Sequence, residues 1–307
     1  MSQPTAAPLA SGVERGTVDA ILTAAEPRRL HTLSSILNLS LATFLTLGAG
    51  PALDGSLVWP IAAAMVAVAL WQLSQRLWRD LAIAVLAPAI GGRWGQADFA
   101  AGWGAVDVER WFADLFSPEG ARFTAWRSQG RYHDVDYRLS EMTIWRKRVS
   151  NRPRQLDYVM AVEVAVPQAF SGRVDLVPRS GFAGRIDDLI RQVSGNTAQR
   201  LEVDPVFDRV FDTIANQSAS AETLLTPAFR QAMLTLAARH PGLYLTARFE
   251  HGWFSLRLPI PHLVFARASL LRPLTEMAED ADALWWDLTV PHRLIEALMG
   301  ERDGPLR

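Results

Sequence analysis

Two uncharged runs near the N-terminus constrain this chain more than any other feature. Leu33 to Leu53 reads LSSILNLSLATFLTLGAGPAL, and Leu57 to Leu73 reads LVWPIAAAMVAVALWQL, with only Asp54, Gly55 and Ser56 between them. An apolar helix needs roughly 20 residues to cross about 30 Å of hydrocarbon, and each run is near that length. In lipid every backbone polar group must find its partner within the protein, so two such runs joined by a short Gly/Pro/Asp turn are expected to form a transmembrane helical hairpin. Asn38, Ser40, Thr43 and Thr46 in the first run, and the alanines of the second, suit close helix–helix packing. The competing reading is a hairpin buried in a soluble core. A cleaved signal peptide fits less well, because the first run starts late, is too long for an h-region and is followed at once by a second.

Arginine sets the expected orientation. Arg15, Arg28 and Arg29, with His31, precede the first run; Arg76 and Arg79 follow the second; the turn has only Asp54. The positive-inside rule then puts both ends in the cytoplasm and the turn outside. The expectation is a multi-pass protein of the cell inner membrane with a soluble cytoplasmic domain. The division read from the sequence is a tail over 1–32, the hairpin over 33–73, a juxtamembrane segment over 74–99 and the domain over 100–307. The apolar stretch Leu81 to Ile90, flanked by Trp78, Arg79, Arg93 and Trp94, is too short to span. It extends the second helix, lies at headgroup level or forms a core helix of the domain.

Charge and composition exclude several classes of function. The formal net charge is −1, which gives no electrostatic case for nucleic acid. Cysteine is absent, which removes disulfides, thiolate zinc sites, iron–sulfur clusters and a cysteine nucleophile. Lys147 is the only lysine, which removes most lysine-based mechanisms.

Beyond the hairpin the pattern mixes helix and strand. The first 30 residues read as a loose tail followed by a short helix. Val108, Trp111, Phe112 and Leu115 have helical spacing, as do Ile186, Leu189, Ile190 and Val193. Asp134 to Ile144 alternates imperfectly. Tyr158 to Val166 and Gly172 to Val177 read as strands of a hairpin turned at Pro167 to Ser171. Thr226-Pro227 is a capping residue followed by proline, so a helix with Phe229, Met233, Leu236 and Ala237 on one face is expected, stopped at His240-Pro241-Gly242. Leu243, Leu245, Ala247 and Phe249, then Phe254, Leu256 and Leu258, point inward from two strands turned at His251-Gly252. A last helix carries Trp285, Leu288, Leu294 and Leu298 and packs on the sheet or the membrane. The expected fold class is α+β: the N-terminal hairpin, then an antiparallel sheet with packed helices.

Several segments together resemble the DUF3137 family of bacterial membrane proteins, named for their unknown function. They are YRLSEMTIWRKR (Tyr137 to Arg148), AFSGRV (Ala169 to Val174), FDRVFDTIA (Phe207 to Ala215) and ETLLTPAFRQAMLTLA (Glu222 to Ala237). Phe207 with Phe211, and Leu224 to Pro227, are the most specific of these. The chain departs from the family pattern at Tyr137-Arg138, where a glycine is expected after the acidic pair. The resemblance implies a membrane anchor and an α+β domain over nearly the whole chain, and it brings no catalytic residues. Genes of this family often lie beside those of LemA-like membrane proteins, which implies a LemA-like partner.

Local chemistry is sparse. No phosphate loop, G-x-G-x-x-G, H-E-x-x-H or G-x-S-x-G motif is present. In His133-Asp134-Val135-Asp136 a strand would place the two carboxylates on one face, too few ligands for a cation; no metal or cofactor is expected. Ser140 and Glu141 precede a basic cluster of Arg146, Lys147, Arg148, Arg152 and Arg154. That cluster is the candidate contact with anionic headgroups, against a plain solvated loop. Asp187 and Asp188 read as a solvated helix face, Glu250 and His251 as a turn, and Trp253, Trp285 and Trp286 as core or interface. The expected partners are the lipid bilayer and a membrane protein. The expected role is a non-catalytic binding module, with an enzyme lacking any local motif as the alternative.

Overall fold

The computed structural model describes residues 11–48, 58–91, 97–101, 121–145, 156–179, 199–241, 244–260, 269–274, 276 and 286–300. They fall into two compact units. The first comprises Met1–Ile90 with Val264–Trp286, and the second Gly91–Leu263 with Asp287–Arg307. No local pattern in the sequence ties 264–286 to the N-terminal helices.

The first unit holds helices α1 (Ser11–Gly48) and α2 (Val58–Gly91). The short helix expected before Leu33 is continuous with the apolar run, although Pro27 removes one ladder hydrogen bond. Likewise Leu81 to Ile90 continues α2, the first of its three open placements. Leu22 and Ala82 line one groove, and Arg29 and Gln75 both hydrogen-bond Leu270. Residue numbers rise along α1 as they fall along α2, the sense of an antiparallel pair. Val58–Val85, with hydropathy 1.4, is long and apolar enough to cross a membrane, and 6% of its apolar 18-residue window is buried. It is the one such stretch among the described residues. The expected turn, and the last residues of the first apolar run, lie outside them.

The second unit is built on a nine-stranded antiparallel sheet. Its strands are β1 (Ala97–Ala101), β2 (Ala121–Tyr132), β3 (Val135–Trp145), β4 (Leu156–Ala165), β5 (Arg173–Pro178), β6 (Gln199–Leu201), β7 (Phe211–Ala215), β8 (Thr246–Glu250) and β9 (Trp253–Ile260). Their order is β1-β2-β3-β4-β9-β8-β5-β7-β6. The β8–β9 hairpin forms as the alternation requires, with His251 and Gly252 at positive φ in its two-residue turn. It sits between β4 and β5, so those two strands do not pair. The expected hairpin across Pro167 to Ser171 is therefore wrong. A turn-rich connection says where the chain leaves a strand, and the long-range pairing with β8 and β9 decides where it returns.

Among the described residues three helices accompany the sheet: α3 (Ser218–Leu224), α4 (Pro227–Arg239) and α5 (Val290–Leu298). Thr226 caps α4, its Oγ1 accepting from Phe229 N at 3.2 Å. The buried Phe229 ring lies 5.3 Å from Phe249 and 5.2 Å from Phe254, so α4 packs its expected face on the β8–β9 hairpin. Helix α5 packs on α4, β3 and β4, which decides for the sheet as its support. The paired phenylalanines are both buried, with ring centroids 5.1 Å apart. Phe207 is on a 3₁₀ turn (Phe207–Arg209) and Phe211 opens β7, so they share neither a helix nor a strand face. Two carboxylates fix that turn. Asp204 accepts from Val206 N at 2.9 Å and Phe207 N at 3.1 Å, and Asp208 accepts from Val203 N and Asp204 N, each at 3.1 Å. These backbone donors hold the Asp204 carboxyl below its usual range.

Candidate functional site

Strand alternation sorts the sheet domain into two faces. Val135, Tyr137, Leu139, Val162, Leu256 and Phe249 belong to the buried face. Their sequence neighbours belong to the other, where Arg138, Glu163, Asp175, Arg248, Glu250 and Trp253 meet around a cleft of about 600 Å³. The Arg138 guanidinium carbon lies 4.9 Å from the Trp253 ring centroid, and Arg138 Nη1 is 3.5 Å from Glu163. Asp175 is almost wholly buried. Its Oδ2 accepts from Arg173 Nε at 2.7 Å, and its Oδ1 from Arg248 Nε at 2.7 Å. Glu250 lies within 3.8 Å of Arg173 and 3.7 Å of Arg248. The cleft thus holds guanidiniums paired with carboxylates and an indole face met by Arg138, the groups that recognise anions and flat rings when those pairs open.

The first unit carries a second polar constellation. Arg29 is buried and donates from Nε to Glu26 Oε1 at 2.9 Å, while its Nη1 donates to the Leu270 carbonyl. Glu26 Oε2 accepts from Leu274 N at 2.9 Å, and Gln75 Oε1 from Leu270 N at 3.3 Å. The hydrogen bond from Arg29 holds the Glu26 carboxyl below its usual range, against the opposing effect of burial. Residues 269–274 are thereby fastened to both helices. A sequence reading that treats arginines only as topology signals misses Arg29, because the Leu270 carbonyl it reaches is 241 residues away.

Most candidates from the sequence fare differently. Arg146, Lys147, Arg148, Arg152 and Arg154 lie outside the described residues, as do Asp187, Asp188, Trp285 and the helical patterns at Val108 and Ile186. His133 and Asp134 are not on a strand face: both have positive φ and form the two-residue turn between β2 and β3. Asp136 instead accepts from Arg131 Nε across that hairpin at 2.8 Å, which holds its carboxyl below the usual range. No group of three His, Asp or Glu side chains suited to a metal ion occurs among the described residues. Glu141 faces the core and accepts from Trp126 Nε1 at 2.6 Å, whereas Ser140 faces the other way. His251 is in its turn as expected. Trp253 is half-buried under Arg138, so it belongs to the cleft rather than the core.

Fold and site together define an antiparallel sheet domain with one helix-covered face and one charged cleft, joined to a pair of long helices. Residues 160–299 match the model of DUF3137, described as a protein of unknown function. The matched region takes in β4, β5, the Phe207–Phe211 element, α4, the β8–β9 hairpin and α5. The helical pair and Tyr137 to Arg148 fall outside it, so the family resemblance is narrower than the sequence suggested. No curated protein matches the chain. Among solved structures, the mycobacterial trehalose monomycolate transport factor A, TtfA, is similar at 10% identity and a TM-score of 0.33. That alignment covers 69% of this chain and 92% of TtfA, and a likeness this slight carries no argument.

Proposed function

We propose that this chain is a membrane-anchored binding module without catalytic activity, in which α1 and α2 span the inner membrane and the sheet domain works in the cytoplasm. One observation carries the reading. Leu37, Leu41, Leu45, Ile61, Met65 and Val68 are between 55% and 69% exposed, on helices whose apolar runs carry no charge. Burying such a side chain is worth about 1.5–3 kcal/mol, so this surface favours an apolar medium over water. The arginines at both ends of the helical pair support the cytoplasmic placement. The cleft of Arg138, Arg248 and Trp253 is a recognition surface, and the basic cluster at Arg146 to Arg154 is a second contact with anionic headgroups. The partner at the membrane is a LemA-like protein or another bilayer protein.

Membrane fractionation with successive washes tests the anchor. The chain is expected to stay in the pellet through high salt and through alkaline carbonate. Release by carbonate refutes spanning, and release by salt alone assigns attachment to the basic cluster. Purification from detergent, with co-purifying proteins identified, tests the partner.

A further inference from the structure

Where α1 and α2 leave the apolar runs they enclose a groove of about 460 Å³. Ile21, Leu22 and Ala25 of α1 line it, with Trp78, Ala82 and Val85 of α2. Leu274 closes part of it, and the exposed Arg28 stands among its lining residues. At about 1.5 Å per residue, Arg28 lies about 8 Å and Leu22 about 16 Å past the start of the apolar run at Leu33. The groove is therefore at and beyond headgroup level, where an apolar concavity faces water unless something fills it. Its walls are the same two helices whose next turns carry the exposed apolar surface, so it continues that surface out of the hydrocarbon. A second observation concerns Trp78. It is 2% exposed, and its Nε1–H has no acceptor among the described residues. A buried indole donor without an acceptor is costly, and an ester or phosphate oxygen in the groove would satisfy it.

We propose that this groove shelters one acyl chain of an anionic bilayer phospholipid partly withdrawn from the cytoplasmic leaflet. The chain fills the apolar wall, Arg28 meets the phosphate, and Trp78 Nε1 donates to a head or ester oxygen. The proposal rests on the membrane-anchored reading of α1 and α2.

The test uses the full chain in nanodiscs of phosphatidylglycerol or phosphatidylcholine carrying a photoreactive diazirine on the acyl chain, with adducts mapped by mass spectrometry. Adducts are expected on 21–28 and 78–85 as well as on 33–48 and 58–73. Ala25→Trp fills the groove and removes the first set while leaving the second. Arg28→Gln, at an exposed position, lowers groove labelling by phosphatidylglycerol about fivefold, the effect of ~1 kcal/mol from one basic residue at an anionic surface, and leaves labelling by phosphatidylcholine unchanged. Should Ala25→Trp fail to fold, Arg28→Gln decides alone. Adducts confined to 33–48 and 58–73 overturn the groove proposal and leave the anchor standing. No adducts on either helix overturn both. Groove labelling abolished by free oleate assigns the site to a fatty acid and overturns the phospholipid.

Discussion

Leucine meets opposite environments in the two units of this chain. In the sheet domain Leu139, Leu176, Leu256 and Leu258 are buried. In α1 Leu37, Leu39, Leu41 and Leu45 are exposed, and in α2 so are Val58, Ile61 and Met65. The sheet domain satisfies its own apolar residues. The helical pair does so mainly at its base, where Leu22, Trp78, Ala82, Leu270 and Leu274 are buried and the Glu26–Arg29 pair fastens 269–274, with Ile36 and Ala63 buried further along. The difference teaches that the helices bury apolar side chains mainly at their charged base and expose them along the uncharged runs, the pattern from which the proposed anchor is argued.

Cutting the units apart is the harshest way to break this comparison. A fragment of residues 91–307 keeps every strand and α4 and α5, but leaves 264–286 without its helices. It is expected to unfold in one cooperative transition and to be cleaved rapidly by trypsin at the exposed Arg272, which the full chain in detergent resists. A fragment with no cooperative transition would mean that the sheet domain does not satisfy its own core.

Within the sheet domain, Phe207→Ala and Phe211→Ala are each expected to cost about 3–5 kcal/mol, as for a large ring removed from a close-packed core. Thermal denaturation of the full chain measures this. Variants that melt normally would place these rings on a recognition surface instead.

The next effect in size depends on pH. His292 on α5 is buried between the rings of Tyr132 and Tyr137, at 4.9 Å and 4.8 Å. Burial, with a smaller push from Arg293, lowers its pKa to about 4 from a usual 6.5. Between those values the unfolded chain binds more protons than the folded one, so stability falls as pH drops from about 6.5 to about 4. The loss is on the order of 3 kcal/mol, and His292→Phe should abolish that part of the slope in denaturant titrations.

Gly172 gives the smallest effect. It has φ +81°, and a Cβ there would meet Asn216 Oδ1 at 2.2 Å, the atom that accepts from Arg173 N at 2.7 Å. Gly172→Ala is expected to cost about 1–3 kcal/mol in the same denaturant titrations, and a neutral result would show that this entry into β5 is not constrained.

Much of the sheet domain was legible in the sequence because its signals are local. The alternation of Leu245 to Phe249 and Phe254 to Leu258 fixes inward residues, and Thr226-Pro227 fixes a helix start. Sheet order was not legible: β4 and β5 are close in sequence, yet β8 and β9 come between them. The cleft was half legible. The parity that buries Leu139 and Phe254 also turns Arg138 and Trp253 outward together, but which outward residues meet depends on the strand order. The attachment of 269–274 to Arg29 joins segments far apart in sequence, and no short-range pattern encodes it.

The central claim is that α1 and α2 cross a membrane with both ends in the cytoplasm, and reporter fusions test it most directly. Alkaline phosphatase fused at Asp54 is expected to be active, and the same enzyme fused after Arg307 inactive. Activity at Arg307 with none at Asp54 would move the sheet domain to the other side, and inactivity at both would mean that the helical pair does not cross the membrane.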